Sequence, residues 1–360
     1  MRSLLPNILL KIGLVLISII IALGICEILS RIIRKTHLPY LTDMDGKREE
    51  LFIPDNELDH LNKANFDGWL VATEFRNRIQ TNSYGFRGRQ DFLPNRGDKL
   101  RIMALGDSFT FGFGVEEYET FIKKIARNLQ DGLSTRVEGL NLGVAGYGTL
   151  QEVRLFHKYK YLKSDLVVLG FFARNAFAEE GGNDLVDNYK FFYNYVKGNF
   201  RKKENYLSLT RRARIFLRSS SNLYRCVELY FGGYLRRRYS PERQNVELKN
   251  EAWQITTDCL LEFDRELQNQ NIKCFLLWIP FPSTVVNQDH SVAKHIAALN
   301  LRNIILIDPL DAMKSDVMNY YYRLDSHWNV KGHDLAANLV SKTIIESGIL
   351  SRRDNIPERK

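Results

Sequence analysis

Leu105 to Val115, LGDSFTFGFGV, is the stretch from which the rest of the chain is read. It follows the apolar run Leu100–Leu105, in which Ile102, Met103, Ala104 and Leu105 read as a buried β-strand, and it precedes a stretch over 119–133 that reads as a helix. When a strand in the heart of an α/β sheet hands over to a helix, it does so at the strand's carboxyl end, where open sheets place their sites. Gly106 lets the backbone turn without a Cβ clash, so Ser108 projects its hydroxyl from the rim while its own N–H points into the same space. On these residues alone a second reading stands beside the first, a serine that merely caps the helix. Nucleotide-binding loops are set aside: Gly106, Gly112 and Gly114 satisfy neither G-x-G-x-x-G nor G-x-x-x-x-G-K-[ST].

Outward from this turn, strand-like and helix-like segments alternate. Strands are predicted at 100–106, 136–142, 165–171, 272–279 and 303–308, and helices at 119–133, 149–162, 247–270, 290–299 and 330–347. The alternation argues a doubly wound parallel α/β sheet of about five strands. All carboxyl ends of such a sheet share one rim, which gathers Ser108, Gly146, Asn175 and the segment 325–333.

Three blocks carry a resemblance. GDSFTFGFGV, then NLGVAGYGT at Asn141–Thr149, then DSHWNVKGH at Asp325–His333, with TNSYGFRG upstream at Thr81–Gly88, resemble in identity and order the GDSL/SGNH hydrolase family, in its bacterial membrane-anchored branch. The likeness covers roughly residues 100–350. It implies the flavodoxin-like fold of that family and an ester-cleaving site in which Ser108 is the nucleophile, His327 the base and Asp325 the residue that orients the imidazole. It further implies an oxyanion hole from the N–H groups of Ser108 and Gly146 and an asparagine amide.

Two departures bear on that assignment. The family's usual Gly-x-Asn-Asp is replaced by Ala173-Arg174-Asn175-Ala176, and a literal Gly181-Gly182-Asn183-Asp184 follows. Asn175 is preferred as the oxyanion asparagine because a strand end delivers it directly, whereas Asn183 needs a loop to fold back. The family's common Asp-x-x-His is shortened here to Asp325-Ser326-His327, which leaves a loop-ordering role for Asp325 as a second reading. Three activities follow from the resemblance: a serine esterase or deacylase, an O-acyltransferase that modifies an envelope glycan, and a non-catalytic glycan-binding or assembly protein on the same fold.

Other candidates have plainer readings. Trp328 is either a packing wedge behind His327 or a platform for a sugar. Tyr84 and Phe86 either border the site or pin the segment before the sheet to the core. His333 reads as structural, and His37, His60, His157, His290 and His295 have no carboxylate or cysteine partners at ligand spacing, so neither metal nor cofactor is expected. Four cysteines, Cys26, Cys226, Cys259 and Cys274, form no C-x-x-C pair and imply no disulfide framework.

With 360 residues and 44% hydrophobic content, the chain can bury one large core. Residues 1–35 read as an anchor, with uncharged residues 12–26 at the centre of an apolar stretch over about 8–29 that reaches the roughly 20 residues a bilayer needs. A cleaved signal peptide is the alternative, although no small-x-small site follows. Basic residues flank both ends (Arg2 and Lys11; Arg31, Arg34 and Lys35), so orientation follows from the resemblance, which puts the body outside a bacterial inner membrane. Residues 36–99 read as a β-rich collar and 351–360 as a tail.

An insertion at about 190–245 breaks the α/β rhythm. From Lys197 to Arg243 it carries thirteen basic residues against three acidic, a net of +10, while the whole chain stands at +9. Interspersed apolar residues give a pair of amphipathic helices, which either lie against anionic lipid or an acidic glycan or pack over the sheet with their charges in water. A membrane-surface adaptor built on this segment is a further reading, and nucleic acid is not expected.

Overall fold

The computed structural model describes residues 4–34, 51–72, 74–133, 136–173, 221, 223–224, 246–323 and 325–350. They divide into two compact units, one with the N-terminal helix and Ser221, Leu223 and Tyr224, the other with the described residues from Leu51 to Ala173 and from Val246 to Leu350.

In the first unit, helix α1 (Leu4–Arg34) contains the apolar stretch Leu10–Ile32, with mean hydropathy 2.8 and its large apolar side chains exposed. Glu27, near its end, is not left bare. It pairs with Arg31 one turn on and accepts hydrogen bonds from Ser221 Oγ at 2.8 Å and Leu223 N–H at 3.0 Å.

The second unit begins with two hairpins. Strand β1 (Phe52–Asp55) pairs antiparallel with β2 (Asp59–Asn62), and β3 (Asp67–Val71) with β4 (Arg76–Gln80). Tyr84 and Phe86 stack at 5.4 Å, and Phe86 meets Tyr159 edge-on at 4.8 Å. They pin this region to the core.

The parallel sheet follows: β5 (Leu100–Gly106), helix α2 (Ser108–Phe111), helix α3 (Phe121–Gly132), β6 (Val137–Asn141), helix α4 (Thr149–Tyr159), β7 (Leu166–Phe171), helix α5 (Val246–Gln270), β8 (Lys273–Trp278), helices α6 (Pro282–Asn287) and α7 (Ser291–Ala298), β9 (Ile304–Ile307), helix α8 (Leu310–Met313) and helix α9 (Val330–Glu346). Strand order is β6-β5-β7-β8-β9 with every neighbouring pair parallel. Every residue of β5 and β7 is buried, as expected of central strands covered on both faces.

Helix α3 buries Phe121, Ile122, Ile125, Ala126 and Leu129, a 3.6-period stripe, and packs against α9, while α4 packs against α5. Chain order reverses between β5 and β7, and the carboxyl ends at that switch are where such sheets open a crevice. The five predicted strands and five predicted longer helices are all present. The short helices α2, α6 and α8 and the hairpin β1–β2 escape periodicity because each is too short to display one.

Candidate active site

Gly106 ends β5 at φ +150°, and a Cβ there would come within 2.0 Å of Thr110 Oγ1 and 2.9 Å of the Gly170 carbonyl, so only glycine fits. Asp107 then caps α2, its Oδ1 accepting the Phe109 N–H at 2.9 Å. The cap role therefore falls on Asp107 rather than Ser108. That leaves the Ser108 hydroxyl for another partner, His327 Nε2 at 2.7 Å. Ser108 is 7% exposed.

The loop after β6 is fastened to this turn. Asn141 Nδ2 donates to the Thr110 carbonyl at 2.7 Å and its Oδ1 accepts the Gly143 N–H at 3.0 Å, while Val144 N–H donates to the Gly106 carbonyl at 3.0 Å. Gly143 passes so close that a Cβ would sit 2.2 Å from Phe111 N. Gly146, exposed at φ +83°, forms the outer bend of the same loop.

The first hairpin grips that loop from the other side. His60 Nε2 donates to the Ala145 carbonyl at 3.0 Å, Asn62 Nδ2 to the Gly143 carbonyl at 2.9 Å, and the Tyr147 hydroxyl donates back to the His60 carbonyl. Arg87, fully buried, donates to the carbonyls of Arg78 and Val115 and lies 5.1 Å from the centre of the Phe111 ring. Burial pushes its guanidinium down to about 10.

The third block lies between β9 and α9. His327 Nδ1 hydrogen-bonds Asp325 Oδ1, and the same oxygen accepts the His327 backbone N–H at 3.2 Å. Both contacts span a single residue because Ser326 takes φ +67°, which folds the two side chains to one side. Asp325 has a side chain 4% exposed. With Nδ1–H donated to a carboxylate, Nε2 carries the lone pair that accepts the hydrogen bond from the Ser108 hydroxyl. Phe109 at 4.7 Å and Phe113 at 5.4 Å hold the imidazole ring in place.

Ser108, His327 and Asp325 are thus brought together. Asn175, Asn183 and the insertion at about 190–245, apart from Ser221, Leu223 and Tyr224, lie outside the described residues. Trp328 is fully buried and meets Phe109 edge-on at 5.4 Å, which is the wedge and not the platform. Among the described residues no cluster of His, Cys, Asp and Glu could hold a metal ion, although His60, His157 and His290 do face the carboxylates of Asp59, Glu266 and Asp308. Those partners are distant in sequence for two of the three. From the sequence His60 is set aside and Asn62 goes unremarked; Asn141 alone, inside a quoted block, carries a signal.

No family model matches the chain, and no curated protein matches it by sequence. Solved structures similar to it include a lipase/acylhydrolase from Enterococcus faecalis (14% identity, 68% of this chain and 95% of the other, TM-score 0.35). Others are a GDSL-like lipase from Bacteroides thetaiotaomicron (12%, 69% and 88%, 0.34) and a psychrotrophic esterase from Pseudoalteromonas (12%, 68% and 97%, 0.35). Scores and identities at this level leave the functional reading to the geometry of the site.

Proposed function

We propose that this chain is a serine esterase or deacylase of the GDSL/SGNH type, tethered to a membrane by α1, that removes an O-acyl group through an acyl-enzyme on Ser108. The observation that carries the reading is the unbroken line from Ser108 Oγ to His327 Nε2 at 2.7 Å and from His327 Nδ1 to the buried carboxylate of Asp325.

In the first half-reaction His327 Nε2 takes the Ser108 proton as Oγ bonds to the ester carbonyl carbon. The carbonyl oxygen becomes an oxyanion, received by the N–H groups of Ser108 and Gly146 and the amide of Asn175, each such donor supplying about 3 kcal/mol at the transition state. The imidazolium, held in register by Asp325, returns the proton to the departing alkoxide as the C–O bond breaks. In the second half His327 deprotonates water, which attacks the acyl-serine and releases the carboxylic acid and free Ser108. If a sugar hydroxyl takes the place of water, the same residues perform O-acyl transfer.

A body outside the inner membrane, with an acylated small molecule or glycan as substrate and the basic insertion facing anionic lipid or acidic glycan, completes the proposal. The test is turnover of an activated acetyl ester by the full-length chain in detergent micelles, with products identified with and without an oligosaccharide acceptor. Free acetate in both cases supports the deacylase; acetylated oligosaccharide makes the chain a transferase; no turnover by folded protein, matched by Ser108→Ala, contradicts the catalytic reading.

A further inference from the structure

The loop that presents Asp325 and His327 is closed by one isolated antiparallel bridge, Tyr321 to Trp328, and it is braced from outside by the second hairpin. At the turn between β3 and β4, Glu74 accepts two backbone N–H groups from the catalytic loop, Arg323 N–H on Oε1 at 2.8 Å and Asp325 N–H on Oε2 at 3.2 Å. Next to it, Phe75 packs its ring 4.7 Å from that of Tyr322. Tyr322 in turn donates its hydroxyl to the Gly114 carbonyl at 2.7 Å, its N–H to the His327 carbonyl at 2.9 Å, and accepts the Ser326 N–H at 3.1 Å.

The same hairpin also holds the loop after α2. Asn77 Nδ2 donates to the Val115 carbonyl at 2.9 Å, and Arg78 N–H to Glu116 Oε1 at 2.9 Å. One short piece of chain, residues 74–78, is therefore bonded to the segment following the nucleophile and to the segment that carries the base.

From this arrangement we infer that Glu74 is a positioning residue for the reaction: its carboxylate fixes the catalytic loop so that Asp325 and His327 meet Ser108 in register. The inference rests on the triad reading above. The physical grounds are two. A carboxylate that accepts two backbone N–H groups makes charge-assisted bonds, roughly twice as strong as neutral ones. And Ser326 sits at φ +67°, a conformation a non-glycine residue keeps only when its surroundings impose it. Glu74 holds the loop by its backbone, through the N–H groups of Arg323 and Asp325 on either side of the turn. Its effect passes through the loop, and a displacement of the base by about 1 Å is enough to cost roughly 100-fold in rate.

The test compares Glu74→Ala, Glu74→Gln and Arg89→Ala in the full-length chain, with Ser108→Ala beside them. Arg89 pairs with Asp67 on the same hairpin, away from the catalytic loop, and its loss should leave turnover unchanged. Expected are a fall in kcat of about 10- to 100-fold for Glu74→Ala with KM within twofold, and an intermediate fall for Glu74→Gln, whose single carbonyl oxygen serves one of the two N–H groups. If Glu74→Ala does not fold, Glu74→Gln carries the test alone with the same split between kcat and KM. Wild-type kcat in Glu74→Gln and Glu74→Ala, with Ser108→Ala inactive, overturns the role of Glu74 and leaves the triad standing. Turnover that persists in Ser108→Ala overturns the triad itself.

Discussion

Asp325 accepts both the ring Nδ1–H and the backbone N–H of His327 on one carboxylate oxygen. The aspartate thereby fixes the tautomer and the position of the histidine at once, and answers how a one-residue gap can do what the longer spacing does elsewhere. Replacing it by asparagine keeps the shape and loses the charge that selects Nδ1–H. Asp325→Asn is expected to lower kcat by roughly 100- to 10,000-fold with little change in KM, measured as steady-state ester hydrolysis.

The geometry of that pair depends on the residue between them. Ser326 at φ +67° pays a steric penalty of about 1 kcal/mol that glycine avoids, while glycine adds a comparable loss of chain entropy on folding. Ser326→Gly should thus leave the thermal midpoint and kcat/KM close to wild type. Ser326→Val, β-branched and unable to hold this φ, should lose at least tenfold in kcat/KM.

Gly143 tests the fastening of the β6 loop to the nucleophile turn. A methyl group at this position meets backbone, Phe111 N at 2.2 Å, and backbone cannot step aside as a side chain end can. Gly143→Ala is expected to cost about 1–3 kcal/mol of stability by thermal or denaturant unfolding and to lower kcat/KM at least tenfold, because relief of the clash moves either Ser108 or the loop bearing Gly146.

His333 makes a prediction about acid stability. Buried beneath Trp328, it accepts the Phe121 N–H on Nδ1 at 3.2 Å, and burial, with the nearby charges of Lys124, His327 and Arg87, pushes its pKa down to about 3. In the unfolded chain a histidine binds its proton near 6.5, so between about 6.5 and 3 the unfolded state holds the extra proton. Stability from this group is complete above about 6.5 and is lost as pH falls, by at most about 1.4 kcal/mol per pH unit. Thermal midpoints of wild type and His333→Gln compared from pH 7.5 to 4.5 should converge as pH falls, the wild type losing more.

Sequence was a good guide where the physics is local. The apolar run ending in Gly106 and the helical stretches at 119–133 and 330–347 declare themselves locally, and the sheet follows from the alternation of such segments. His327 was found through a motif. What escaped notice depends on contacts across the fold: Glu74 reaches Arg323 and Asp325 some 250 positions away, and His60 reaches Ala145. No periodicity marks such residues. The choice between Asp107 and Ser108 as cap is equally silent, since both residue types cap well, and so is the left-handed Ser326, which is settled by what packs around the turn.

The central claim is that Ser108 is a nucleophile activated by His327. A fluorophosphonate serine probe applied to the full-length chain, with Ser108→Ala and His327→Ala in parallel, tests it most directly. The account predicts one covalent label per chain, mapped by mass spectrometry to Ser108, absent in Ser108→Ala and slowed at least 100-fold in His327→Ala. Label on another residue, or equal labelling of the folded wild type and Ser108→Ala, would contradict it.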